Sequence, residues 1–474
     1  MYDETFSFDN NSFEAQPCED TIAALSTPYG TGGIGVIRIS GHRAFDVAAK
    51  IFVSGKAMED IASHSVTYGK IADPVTGDTV DEVLLLKMCR PNTFTRENVV
   101  EINCHGGIVV VNRVLELIFR YGARPAEAGE FTRRAFLNGR IDLSQAEAII
   151  DLINSKTVES SKAAVSHLEG RLSQMLKRAG NSLVELLAHI EASIDYPEHD
   201  IEEITGAKVR EGLKNIKDEL EALARTFERG KILREGINVV IAGKPNVGKS
   251  SLLNQLAGHA KAIVTDVPGT TRDVIEEYVN IKGIPAKISD TAGIRSTGDP
   301  VEKIGVDKAY KAMEAADLII MVIAADLGIL KEDEEVLQSM EGKRRLILIN
   351  KTDLADRKRI DEIRERLDGD IVLEASVIND QGIESLEDKI SRLFFKGDIA
   401  GNDEVLLTNA RHKNLVDKAI AGIDQAFESL DLGMPLDMVT IDIKGAADNI
   451  GRITGESIDE AVMHNIFSRF CIGK

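Results

Sequence analysis

Apolar and polar positions change rhythm three times along the chain, and each rhythm predicts a different architecture. Between residue 20 and about residue 138, short β-branched runs are separated by glycine-bearing loops. Residues 21–25, 35–39, 83–88 and 99–102 predict strands and 108–118 a helix, with Pro28-Tyr29-Gly30-Thr31-Gly32-Gly33 a flexible loop after the first strand. Mixed elements of this kind predict a compact α+β domain. Helical spacing follows. Asp142 and Gln145 form a capping pair ahead of Ala146, Ile149, Ile150, Leu152 and Ile153. Further apolar faces run through Val165, Leu168, Leu172, Met175 and Leu176, then Leu183, Leu186, Leu187 and Ile190, then Leu213, Ile216, Leu220 and Leu223.

From residue 237 to about residue 395 the texture becomes strand, helix, strand. Runs at 237–242, 278–281, 286–288, 318–324, 346–349 and 371–373 predict a doubly wound, Ras-like parallel sheet. Helical periodicity then returns, with Leu415, Ala419, Ile420 and Ile423, and persists to Phe470. The economical arrangement is multidomain, α/β plus all-α. An α+β N-terminal domain (1–138, its first twenty residues a flexible tail) precedes one helical domain (139–233 plus 403–474) into which an α/β domain (234–402) is inserted.

Length and charge narrow the class. A chain of 474 residues exceeds one core and divides into about three domains of roughly 100 to 200 residues each. Lys plus Arg number 57 against 77 Asp plus Glu, so the net charge of −20 offers no global attraction for nucleic acid or an anionic membrane. Cys18, Cys89, Cys104 and Cys471 lack Cys-x2-Cys spacing, which argues against a zinc site and fits a reducing, cytoplasmic address. No apolar run is long enough to span a membrane, the acidic first residues are the reverse of a targeting leader, and aromatics at 5% with no Trp disfavour an aromatic nucleic-acid platform.

The chemistry lies in the inserted domain. Gly243-Lys244-Pro245-Asn246-Val247-Gly248-Lys249-Ser250, followed by Ser251, sits between a strand run and a helical run and has P-loop spacing. Gly243 and Gly248 turn backbone amides toward phosphates, Lys249 reaches the β and γ groups, and the Ser250 hydroxyl ligates magnesium. Thr271, in Thr270-Thr271-Arg272-Asp273, offers magnesium a second hydroxyl, and Asp290-Thr291-Ala292-Gly293 holds the metal through water while the Gly293 amide faces the γ-phosphate. Asn350-Lys351-Thr352-Asp353 then selects guanine, because Asp353 accepts from its N1–H and exocyclic amine, and adenine would leave that carboxylate unpaired. Glu374-Ala375-Ser376 offers a backbone amide to the guanine carbonyl. Five such segments in order resemble the translation-factor-related GTPases. Ile294 stands where Ras-like enzymes carry a water-orienting glutamine, which leaves Asp299 and Glu302 as carboxylates able to orient water.

An inserted GTPase, Ile294 and the terminal Cys471-Ile472-Gly473-Lys474 together resemble the tRNA-modification GTPase MnmE (TrmE) family. Matching runs from Gly30 to Gly41, Gly129 to Thr132 and Ala135 to Leu143 extend the likeness from Asp20 to Lys474. The resemblance implies a homodimer formed through N-terminal domains that bind 5-formyl- or 5,10-methylene-tetrahydrofolate at Arg38, Glu101 and Arg140, with the Lys474 end of the tail reaching the same pocket and Cys471 nearby. It also implies that G domains pair around a potassium ion held by Asn246 and by a loop including Thr265, Val267 and Thr270, and that Glu302 positions the attacking water. A flavin-dependent partner, MnmG (GidA), and tRNA complete the implied reaction, an aminomethyl-type substitution at C5 of the wobble uridine. Arg133, Arg134 and Arg140 are a basic group where tRNA approaches, or else a solvated face. Two rivals stand beside this reading: a ribosome-assembly GTPase, which the acidic balance disfavours, and a lipid-anchored switch resting on Cys471, whose Gly473-Lys474 ending fits a prenylation box poorly.

Overall fold

The structure, a computed structural model, describes residues 20–195, 201–259, 278–290, 311–367, 369–395 and 404–474. Its first unit is a seven-stranded sheet of β1 (Ile22–Leu25), β2 (Ile34–Ser40), β3 (Phe52–Val53), β4 (Ser65–Ala72), β5 (Thr79–Met88), β6 (Val99–His105) and β7 (Arg124–Pro125), in the order β3-β4-β5-β6-β2-β1-β7. Side chains alternate between faces along a strand. Ile37, Ile39, Leu85 and Ile102 therefore point together at helices Ala44–Ile51 and Ile108–Arg120, where they meet Val47, Val114 and Ile118. The opposite face is covered at one end by Phe131 of helix Glu130–Leu137, packed on Ile22 and Ala24, and beyond it presents Val66, Tyr68 and Leu84 to solvent, alongside Arg38 and Glu101. β4 was not among the expected strands. Its outward Val66 and Tyr68 and inward Ile71 are separated by Gly69, where an added Cβ would collide with the Phe52 ring, so no apolar run advertises it.

The expected capping pair forms: Gln145 N donates to Asp142 Oδ1 and Asp142 N to Gln145 Oε1, both at 3.0 Å, starting helix Leu143–Asn154. The stripe from Val165 to Leu176 is not one face. Gly170, at φ +84°, separates helix Val158–Leu168 from helix Arg171–Asp195; Val165 is exposed, and Ala164 and His167 are buried in its place. Helices Ile201–Arg225, Phe227–Glu235, Ala410–Asp431, Leu436–Thr454 and Glu460–Phe467 complete the unit. Leu176, Leu183, Leu213 and Leu220 share one core with Val416, Ile423, Ile443 and Ile450, so residues from both ends of the insertion build a single bundle. Burying each such side chain contributes about 2 kcal/mol.

The inserted sheet contains β8 (Ile237–Ala242), β9 (Tyr278–Ile281), β10 (Ile284–Asp290), β11 (Leu318–Ala324), β12 (Arg345–Asn350) and β13 (Val372–Glu374), ordered β13-β12-β11-β8-β10-β9. All neighbours are parallel except β9, which pairs antiparallel with β10 across Lys282 and Gly283, both at positive φ as a two-residue hairpin turn requires. Helices cover both faces, and β11 is buried at every position, which is why these strands read as continuous apolar runs. The incoming and outgoing connections are bound side by side, Leu407 N donating to Thr226 Oγ1 at 2.9 Å and Arg229 pairing with Glu404 at 3.1 Å, while Arg234 Nε ties the incoming connection to Asp151 Oδ1 of helix Leu143–Asn154 at 2.8 Å.

One buried ion cluster joins the helical halves. Glu147 accepts from Arg411 NH2 at 2.8 Å and from Asn409 Nδ2 at 3.2 Å, and its Oε2 lies 2.5 Å from His412 Nε2. Burial pushes this carboxyl up, but the His412 and Arg411 charges outweigh it and hold the pKa at about 2. Because the folded value lies below the ordinary 4.5, the stabilisation is fully present above about pH 5 and is lost as pH falls toward 2. Replacing Glu147 with Ala leaves partly buried Arg411 and buried His412 without their carboxylate partner and costs about 3 to 5 kcal/mol, read by denaturant unfolding. In Glu147→Gln the loss of stability between pH 5 and 3 becomes shallower than in the parent chain.

Candidate functional site

β8 delivers the chain to the middle of the inserted sheet, where the P-loop turns back into helix Lys249–His259. Gly243 has φ +141°, and a Cβ there would lie 2.5 Å from the Val322 carbonyl on β11. Gly248, at φ +103°, passes equally close to the Asn350 side chain, so both glycines are required by space as well as by conformation. Asn246 adopts φ +64° between them. Lys249 is buried, and its ammonium donates to the Gly243 and Lys244 carbonyls at 2.8 and 2.7 Å. The loop thus folds around its own cation, and the first amides of the following helix add partial positive charge at the same spot.

The base end is built from the ends of β12 and β13. Asn350 is buried and spans two loops: its Nδ2 donates to Val247 O at 2.8 Å, and its Oδ1 accepts from Val377 N at 3.0 Å. It therefore braces the P-loop against the base loop. Ser376 Oγ donates to Asp353 Oδ1 at 2.6 Å and accepts from Asn379 Nδ2 at 2.9 Å, which fixes the carboxylate's orientation. Lys351, at φ +59°, lies between the brace and the acid. The amide expected to greet the guanine carbonyl is committed elsewhere, since Ser376 N donates to Gln381 O at 3.1 Å and Ala375 N to Ile349 O at 2.8 Å. A bridge between Ser376 and Gln381 closes this loop on itself. Between the two ends lies a cleft of about 460 Å³, with Asn246, Gly248, Lys249, Ser250 and Ser251 on one wall and Asn350, Lys351, Asp353 and Ser376 on the other. Asp290 closes β10 opposite Ile241 of β8. Thr265, Val267, Thr270, Thr271, Gly293, Ile294, Asp299 and Glu302 lie outside the described residues.

A second group gathers on the open face of the N-terminal sheet. Arg38 and Glu101 are direct cross-strand partners, and Arg38 Nε donates to Glu101 Oε1 at 2.8 Å. The Arg38 guanidinium stands 5.8 Å from the Phe94 ring and 5.6 Å from Phe131, and Arg140 stands 5.0 Å from Phe94. The tail docks here: Lys474 O accepts from Phe131 N at 3.2 Å, Gly473 O from Ser26 Oγ at 3.2 Å, and Ile472 bridges Ala128, while Cys471 is exposed. Phe94 and Phe131 were not expected members, because neither an isolated aromatic in a loop, Phe94, nor a single one on the short helix Glu130–Leu137, Phe131, carries a spacing signal. Arg134 is corrected. It is 1% exposed and spent on Asp20, Glu97 and Glu130 at 2.6, 3.1 and 3.0 Å, so it is neither a solvated charge nor open to tRNA.

Asp353→Asn should reverse base preference, since an amide donor then meets the two donors of guanine but suits the C2 carbonyl of xanthine. Affinities for GTP and XTP measure this; an unchanged GTP affinity would move base selection away from Asp353.

Two family models match the chain, one described as the MnmE helical domain over residues 143–471 and one as the GTP-binding protein TrmE N-terminus over residues 21–140. The tRNA modification GTPase MnmE of Acetivibrio thermocellus is 60% identical over 456 residues, covering 96% of this chain and 99% of that one. The proteins of the same name from Clostridioides difficile and Geobacillus kaustophilus are 49% and 48% identical over 458 residues, each covering 96% of this chain and 99% of theirs. Likeness of this degree at both ends of the chain, around a braced phosphate cleft, leaves one assignment: the chain belongs to the MnmE family and is a GTP hydrolase acting in tRNA modification.

Proposed function

We propose that this hydrolase is potassium-dependent and works as a homodimer with a flavin-dependent partner of the MnmG (GidA) kind. The pair installs an aminomethyl-type group at C5 of the wobble uridine of tRNA, with tetrahydrofolate supplying the one-carbon unit. The observation that carries the folate half is the Arg38–Glu101 pair beside Phe94 on the open sheet face. The group suits a folate: Glu101 accepts from the pterin's N–H donors, Phe94 and Phe131 offer flat apolar surface, and Arg140 supplies charge for a glutamate carboxylate. When bound, 5-formyl- or 5,10-methylene-tetrahydrofolate brings the carbon to be transferred. The docked tail holds its backbone against Phe131 and Ser26, which keeps Cys471 and Lys474 at the edge of the same group. Val66, Tyr68 and Leu84 on that face favour a second copy of the chain as its cover.

In the G domain, Ser250 opens the helix after the P-loop and suits magnesium together with Thr271 and, through water, Asp290. Asn246, on the wall of the cleft, suits a potassium ion completed by Thr265, Val267 and Thr270. Potassium there would offset phosphate charge, the task an arginine finger performs elsewhere, while the water for which Ile294 leaves no side-chain partner falls to Glu302. Glu302 orients water, and pairing of two G domains drives the cycle. The location proposed is the cytoplasm; among the described residues no helix is long and apolar enough to cross a membrane.

Three outcomes follow. GTP turnover is at least about tenfold faster in potassium than in sodium, and equal rates would remove the ion site. Glu302→Ala lowers turnover by about a hundredfold or more with GTP affinity nearly unchanged; a normal rate would pass its role to Asp299 or another group. Mass spectrometry of tRNA nucleosides from a strain lacking the protein shows wobble uridines without the C5 substituent, and unchanged wobble uridines would defeat the proposal.

A further inference from the structure

Arg96 is an arginine held where the backbone favours glycine. Its φ is +57°, and the residues around it are pinned: Thr95 is fully buried with its hydroxyl 2.7 Å from Ser40 Oγ, and Asn138 Nδ2 donates to Thr95 O at 2.6 Å. The side chain turns toward the loop before helix Leu143–Asn154, where Arg96 NH1 donates to Asn138 O at 2.9 Å. That loop also carries Arg140. Partial burial and the neighbouring Arg96 charge both pull the Arg140 pKa below the ordinary arginine range. Two guanidinium groups thus stand together, and among the described residues neither forms an ion pair. Two acids of this group are already committed, Glu97 to Arg134 and Ser40, and Glu101 to Arg38. Like charges brought together on a pinned backbone without a counter-ion call for an external anion.

The order of groups indicates which anion. Neighbour to neighbour run Glu101, Arg38, the Phe94 ring and Arg140, with exposed Arg96 bonded to the loop that carries Arg140. A folate has the same order of chemistry: hydrogen-bond donors on the pterin, an aryl ring, and then glutamate carboxylates. We propose that Arg140 and Arg96 form an anion subsite for the γ-linked glutamate chain of a polyglutamylated tetrahydrofolate, Arg140 taking the first residue and Arg96 the later ones. This rests on the folate reading and goes beyond it by naming the cofactor form preferred. The polyglutamate fits better than an RNA backbone because Arg140 stands over the same Phe94 ring that Arg38 faces, so the two arginines adjoin the aromatic group.

Arg96→Gly tests it, since glycine accepts the positive φ without strain and the fold is kept. Titration calorimetry of the full chain with 5-formyltetrahydrofolate bearing one or three glutamates gives the readout. The parent chain binds the triglutamate about tenfold more tightly, a margin that narrows with salt. Arg96→Gly binds both forms alike, with monoglutamate affinity near that of the parent. Equal affinities in the parent, or the same preference in the variant, would overturn the subsite while leaving the folate site standing. Failure of the parent to bind either form removes both. If the variant keeps its preference but loses salt-dependent tRNA affinity, Arg96 belongs to an RNA surface instead.

Discussion

A single buried carboxylate decides whether the two distant parts of the helical domain meet correctly. Apolar burial drives Leu176, Leu213, Val416 and Ile443 together, yet leucines on helices slide past one another at small cost. Glu147 does not slide. Its carboxylate is stable only while Arg411, His412 and Asn409 reach it, and an unpaired charge in that interior costs several kcal/mol. The cluster therefore fixes the register in which one half of the bundle closes on the other, and with it the place where the G domain is carried.

The same economy governs the nucleotide cleft. Strand ends supply positions, and side chains tie those positions to one another. Asn350 joins the P-loop to the loop after β13, so the phosphate and base ends move as one body. Lys249 bonds two carbonyls of its own loop, which keeps a buried ammonium ready for phosphate. The amide of Ser376 is bonded to Gln381 within its own loop, which closes that loop on itself beside Asp353.

The inserted sheet was the most legible part of the chain, because a strand covered on both faces must be apolar at consecutive positions, and β8, β11 and β12 are. The capping pair at Asp142 was equally plain, its signal being entirely local. β4 was hidden because half of its apolar residues face outward and a glycine interrupts the rest. The helical stripe at Val165 misled because a periodic pattern runs on unchanged through Gly170, whereas the helix does not. The P-loop residues could be named from spacing, but the bracing done by Asn350 could not, since its partners lie about a hundred residues upstream and some thirty downstream. Arg134 looked like a surface cation for the same reason: its acids come from three separate segments.

The bound stem beneath the G domain has a thermodynamic consequence. Thr226 with Leu407 and Arg229 with Glu404 hold the two connections side by side. While the inserted sheet is unfolded, closing the bundle means closing a long flexible loop, at an entropic cost of about 4 kcal/mol or more. Once that sheet has formed, its two ends are already neighbours and most of the cost is gone. The enzyme's engine thus serves as a cross-link for the frame that carries it, and damage to the G domain's core is felt as a looser bundle even where no bundle residue has changed.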